Sequence, residues 1–211
     1  MTSILEDFYK SQDVLVPTMT TIDYWIKMEV DRNDYDPKDV GKWLLFLPPS
    51  EIDAAWIKIK DLLKDHKLGD AAKVSTAKRG GMVEDVTKYV ICVFTNDSND
   101  VEDIARIAFN IFSIVPNVDR MQYKSDRVTH LGVYTYNYKG VVCKYDVDRS
   151  FFVGKDIRQF ADSFNEKGVT AGYNEAEMVT WHKTLLTRGY YSFDIHRLRL
   201  NSDGSYTLRR G

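Results

Sequence analysis

Five basic side chains stand on or beside apolar, strand-like runs: Lys42, Lys73, Lys78, Arg79 and Lys124. If those strands bring them to one sheet face, they form a cationic pocket suited to phosphate. Crowding of like charge would also lower a lysine pKa toward that of a useful base. The competing reading leaves them as solvated strand ends. Lys73 is the most informative, because small apolar residues flank it. Alternation places Lys73 and Ser75 on one face and Ala72, Val74 and Thr76 on the other. Asp126, with Lys124 and Arg127 beside it, orders a loop at the mouth of the sheet or reads a base edge. His130 would serve as an acid, since histidine as a residue type titrates near neutral pH, or would simply edge a strand. Trp43, in a strand that can turn either way, is the ring that would stack on a ligand.

Other chemistries fall away. Gly80-Gly81 lacks the Gly-Lys-Ser/Thr ending of a phosphate loop, and the chain has no Gly-x-Ser-x-Gly elbow. His182 has no second ligand at metal spacing, so no metal or other cofactor is expected. Cys92 and Cys143 each sit in an apolar run and read as buried strand thiols. The charge balance, 29 basic against 31 acidic residues, excludes a globally basic nucleic-acid binder, and no DNA partner is expected. The start, Met-Thr-Ser-Ile-Leu-Glu-Asp, is unlike a signal peptide, and no segment reaches transmembrane length. The expectation is a cytoplasmic protein away from membranes.

The elements that must position these residues are legible as periodicities. Residues 1–40 read as an N-terminal arm with one short amphipathic piece, Ile22 to Val30. Strands are predicted at Lys42–Leu47, Ala72–Thr76, Lys88–Thr95, Met121–Lys124 and His130–Tyr136. A turn at Asn137-Tyr138-Lys139-Gly140 leads into a further strand over Val141–Tyr145. Ser50 caps an amphipathic helix to Asp65, and a second carries Val101, Ile104, Ala105, Ala108, Ile111 and Phe112. Helices at Lys155–Glu166 and Asn174–Thr187 and a hairpin, Ser192–Leu200 with Ser205–Arg210, complete the chain. The fold class is α+β: a mostly antiparallel sheet backed by helices. Residues 41–211 form one domain, with a core over 41–146 and a helical and hairpin extension over 147–211.

Several segments together resemble the basophilic leukaemia-expressed protein family, which has the fold of the cap-binding translation initiation factor. They are Gly41-Lys42-Trp43-Leu44, Asp53-x-x-Trp56, Ala72-Lys73-Val74-Ser75, Tyr89-Val90-Ile91-Cys92-Val93-Phe94, Asp100-x-x-Asp103 and Tyr123-Lys124-x-Asp126-x-x-x-x-Leu131-Gly132-x-Tyr134. The resemblance implies a curved antiparallel sheet whose concave face holds the ligand. Lys42-Trp43-Leu44 and Ala72-Lys73-Val74-Ser75 are also similar to segments of bacterial phosphothreonine lyase effectors. That similarity implies Lys73 as the base and Lys42 as a phosphate ligand. The acid of those enzymes falls at Leu44, so another group, His130, would have to replace it.

The sequence therefore points to a non-enzymatic binding protein for a phosphorylated ligand: a nucleotide, an RNA end or a phosphopeptide. Its site is expected at Lys42, Trp43, Lys73, Ser75, Arg79, Lys124 and Asp126. The alternatives are a phosphothreonine-lyase-like enzyme using Lys73 and His130, and an interaction module. In the latter, the helix Ser50–Asp65 and residues 147–211 would meet a protein partner.

Overall fold

In a computed structural model of the chain, residues 14–30, 39–78, 87–166 and 172–208 are described. Six strands make one sheet: β1 (Trp25–Glu29), β2 (Gly41–Leu47), β3 (Ala71–Ser75), β4 (Tyr89–Thr95), β5 (Arg120–Ser125) and β6 (Tyr145–Asp148). Their order is β1-β3-β4-β2-β5-β6, and every neighbouring pair is antiparallel. The expected α+β class is what the structure has. Part of the stretch read as an N-terminal arm is thus the edge strand β1.

Period-two alternation splits the sheet into two faces. Ile26, Trp43, Leu45, Ala72, Val74, Ile91, Val93, Met121 and Tyr123 are buried on one. Against them pack two helices, α1 (Pro49–Lys64) through Ile52, Trp56, Ile59 and Leu63, and α2 (Val101–Ile114) through Ile104, Ala108, Ile111 and Phe112. β2 starts on a glycine for a steric reason. A Cβ at Gly41 would collide with the Tyr123 hydroxyl, which is bonded to Thr95 Oγ1 at 2.6 Å.

Helix starts follow local chemistry. Asp100 caps α2 by accepting from the Asp103 N–H at 3.0 Å. Ser50 is not the cap of α1. The helix begins one residue earlier, with Pro48 as N-cap and Pro49 in the first turn, where a missing N–H costs nothing. The C-terminal end of α2 is held from outside. Arg149 donates to the carbonyls of Phe112 at 2.8 Å, Val115 at 2.6 Å and Val118 at 3.0 Å. Arg149→Ala removes a donor from all three, leaving the Val115 carbonyl only the Val118 N–H at 3.3 Å, and is expected to cost about 2 kcal/mol in urea unfolding, with ligand binding unchanged.

The chain departs from the predicted pattern after β5. His130–Tyr136 is not a strand, and no hairpin follows it. Ser125 caps a short helix, α3 (Asp126–His130), and Gly132 then takes φ 68°. Asn137 fixes the turn: its Oδ1 accepts from the Tyr134 N–H, and its Nδ2 donates to the carbonyls of Gly132 and Ile195. Side-chain bonding to the backbone thus replaces the ladder that alternation had suggested. Further on, α4 (Ile157–Glu166) buries Phe160 and Phe164 in the main core, and α5 (Glu175–Thr187) is capped by Asn174. The terminal hairpin is shorter than expected. Ser192–Ile195 is a helical turn, α6, and among the described residues β7 (Leu198–Leu200) pairs with β8 (Tyr206–Leu208), Arg209 and Arg210 lying outside them.

Candidate functional site

The sheet face turned away from α1 and α2 carries the lysines. In the β1–β3 register Lys27 lies directly opposite Lys73, and in the β2–β5 register Lys42 lies directly opposite Lys124. Like charges opposed across an antiparallel pair are destabilising, so two such pairs on one face demand an explanation.

Each ammonium has its own surroundings. Lys42 is ion-paired with Asp126, donates to Thr129 Oγ1 at 3.2 Å, and lies 5.7 Å from the centre of the Phe94 ring. Lys124, only 4 % exposed, donates to the Val133 carbonyl at 2.5 Å and sits 4.0 Å from the Tyr134 ring centre. Lys73 rests 4.4 Å from the Trp25 ring and 5.6 Å from that of Phe94. Among the described residues it makes neither a hydrogen bond nor an ion pair. Lys42 and Lys124 are tethered; among the described residues, Lys73 and the exposed Lys27 opposite it are not.

Burial sets the electrostatics. Loss of water lowers the pKa of Lys73, and the charges of Lys42 and Lys27 lower it further, while Cys92 and Asp126 act the other way. Burial, then Lys42, brings Lys124 down to about 8. Cys92, across from Lys73 in the β3–β4 register, has its thiol pushed up by burial against the pull of Lys73 and Lys42. The far end of the same face is neutralised locally. There Arg120 Nε donates to Asp146 Oδ1 at 2.6 Å and Gln122 to Oδ2 at 3.0 Å, and the bond from Arg120 holds that carboxyl below its usual range. The lysine end has Asp126, which acts on Lys42, Lys73 and Lys124 alike.

The other expected site residues fall variously. Trp43 does not reach this face. It is 0 % exposed on the helix side, donates from Nε1 to the Ile104 carbonyl at 3.0 Å, and packs edge-on against Tyr123 and Phe164. Its neighbour Lys42 occupies the site, and strand alternation forbids both. Ser75 lies on the lysine face, but its Oγ accepts from the Val90 N–H at 2.9 Å and so closes the sheet ladder. Lys78 donates to the Ile22 carbonyl and covers the Tyr24 ring, tying down the approach to β1. His130 is exposed at the C-terminal end of α3. Arg79 lies outside the described residues.

Three participants escaped the sequence reading: Trp25, Phe94 and Lys27. The signal was present in Trp25-Ile26-Lys27-Met28-Glu29, whose alternation is that of a half-buried strand. Phe94 shares the face of Lys42 by register and could have been placed once β2 and β4 were paired.

This arrangement falls within a recognisable segment. Residues 39–132 match the family model of the basophilic leukemia-expressed protein Bles03. That span contains Lys42, Lys73, Phe94, Lys124 and Asp126, and over it the resemblance carried by the sequence motifs holds. Trp25 and Tyr134 lie outside the Bles03 match. Among solved structures, the chain is similar to a schistosome eIF4E complexed with m7GpppG and 4E-BP. The identity is 18 % and the TM-score 0.49, over 68 % of this chain and 81 % of that one. The same schistosome protein with m7GpppA and 4E-BP gives 18 % and 0.48 over the same shares. Ascaris suum eIF4E-3 with an m2,2,7G cap gives 13 % and 0.42, over 57 % of this chain and 73 % of that one. No curated protein sequence matches the chain.

Proposed function

We propose that this chain is a non-enzymatic binding protein that takes a phosphorylated ligand on the lysine face, with Lys73 as the contact group. The observation that carries this reading is the double opposition of Lys27 to Lys73 and of Lys42 to Lys124. A phosphate group neutralises such a cluster through charge-assisted hydrogen bonds, which are strongest where water is excluded. Trp25 and Phe94 beside the Lys73 ammonium supply aromatic surface on which a base stacks, which favours a nucleotide or RNA end over a phosphopeptide. The buried, free cysteines Cys92 and Cys143 fit a reducing compartment such as the cytoplasm.

The test is calorimetric titration with pyrophosphate, with guanine nucleotides methylated and plain, and with a phosphothreonine peptide. Saturable binding is expected, weakening as salt rises. Lys73→Ala should weaken it at least about tenfold, the factor that one charge-assisted bond supplies. Binding of none of these ligands sinks the proposal and leaves an interaction module, with residues 147–211 offered to a protein partner.

One observation favours a second reading. Lys73 has a lowered pKa and no tethering partner among the described residues, which suits a base that removes a proton beside a phosphate ester. Release of inorganic phosphate from the phosphothreonine peptide, lost in Lys73→Ala, would establish the lyase over the binding protein. His130, the acid this reading calls on, is exposed at the C-terminal end of α3.

A further inference from the structure

Resting on the anion-binding reading, we infer that Lys73 is also a carbonyl nucleophile. The site would then accept phosphorylated aldehydes, holding them by an imine at Lys73 Nζ with the phosphate in the field of Lys42 and Lys124.

The inference stands on the contrast among the three lysines. Lys42 spends its ammonium on Asp126 and Thr129, and Lys124 is drawn to the Val133 carbonyl. Those bonds occupy both nitrogens and fix where they point. Lys73 is held by packing alone, between the Trp25 and Phe94 rings, and nothing described competes for its nitrogen. Imine formation needs an amine that sheds its proton readily, and an amine withdrawn from water beside other cations does so. Burial and the charges of Lys42 and Lys27 act in that sense, opposed by Cys92 and Asp126.

The step balances without any further reagent. Neutral Nζ adds to the carbonyl carbon, forming the C–N bond. The carbonyl oxygen departs as water with one proton from Nζ and the one that the ammonium had shed, breaking the C–O bond and leaving a protonated imine. The charge on the lysine is conserved, so the attraction between site and phosphate survives the reaction. A phosphate-bearing aldehyde thus has two independent handles, whereas an aldehyde without phosphate has one.

The experiment uses pyridoxal 5′-phosphate as probe and pyridoxal as its phosphate-free control, each trapped by borohydride and mapped by peptide mass spectrometry. Lys73 should carry the first adduct, ahead of the exposed Lys139 and Lys183. Pyridoxal should label Lys73 at least about tenfold less, the factor that one charge-assisted hydrogen bond supplies. Lys73→Arg keeps the charge and cannot form an imine. It should lose the adduct at this position. Labelling spread evenly over exposed lysines, or equal labelling of Lys73 by pyridoxal, overturns the inference. If pyrophosphate binds and Lys73 is never labelled, the imine fails and the anion site stands. If neither occurs, the binding reading fails with it.

Discussion

Trp43→Ala should destabilise the protein by about 4 kcal/mol, while Trp25→Phe should leave stability nearly unchanged and abolish the fluorescence response to ligand. Trp43 is fully buried between Tyr123 and Phe164. Truncating it removes a large apolar surface and leaves a cavity that the flanking strands cannot close, a change that typically costs about 3–5 kcal/mol. It also leaves the Ile104 carbonyl without the indole donor that meets it at 3.0 Å. Trp25 is on the edge strand β1, half-buried, with the Lys73 ammonium 4.4 Å from its ring. An anion arriving at Lys73 changes the charge beside that indole, whereas Trp43 and Trp56 lie on the other side of the sheet. Urea unfolding of the two variants and ligand titration of Trp25→Phe check both halves. A normal quench in Trp25→Phe would place the ligand elsewhere.

The two tryptophans also show what was legible in the sequence. Alternation in Ala72-Lys73-Val74-Ser75 gave the correct face for Lys73, because small apolar neighbours leave one arrangement that buries the core. The same rule applied to Lys42-Trp43 excludes their sharing a site, since adjacent strand residues point oppositely. Reading both as ligand contacts let residue type override period. Trp25 was missed for a different reason: five residues of alternation make a weak signal, and only pairing with β3 shows that this segment belongs to the sheet. The segment after β5 misled by composition. Leu131-Gly132-Val133-Tyr134-Thr135-Tyr136 has strand residues, yet Asn137 bonds to the backbone of Gly132, Tyr134 and Ile195 and folds it into turns. That folding is what brings the Val133 carbonyl and the Tyr134 ring to Lys124. A contact between residues nine apart, made by a turn set from residue 195, leaves no periodic trace.

Lys124 therefore carries the second large effect. Burial brings its pKa to about 8, whereas in the unfolded chain it lies near about 10.4. Between those values the unfolded state binds more protons than the folded one, so this lysine makes stability rise with pH. Below pH 8 both states are protonated and the penalty for the buried charge is complete. Above about pH 10.4 both are neutral and it is gone. Lys124→Met removes the titration. Its absolute stability depends also on the Val133 carbonyl left without its donor, but the pH dependence does not. The wild type should gain on the variant by on the order of 3 kcal/mol as pH rises through that window. Cys143, with its thiol pushed up to about 11, titrates in overlapping alkali, but it is common to both proteins and largely cancels in the difference. Urea unfolding at several pH values reads the gap, and a constant gap would mean that Lys124 is not desolvated. The same charge connects stability to binding. A phosphate near Lys42 and Lys124 favours the ammonium form, so ligand binding near pH 8 should take up protons. Calorimetry in buffers of different ionisation enthalpy should detect that uptake in the wild type and find it reduced in Lys124→Met, where only Lys73 is left to take up a proton. The lysine that costs the fold most is then the one whose protonation the ligand supports.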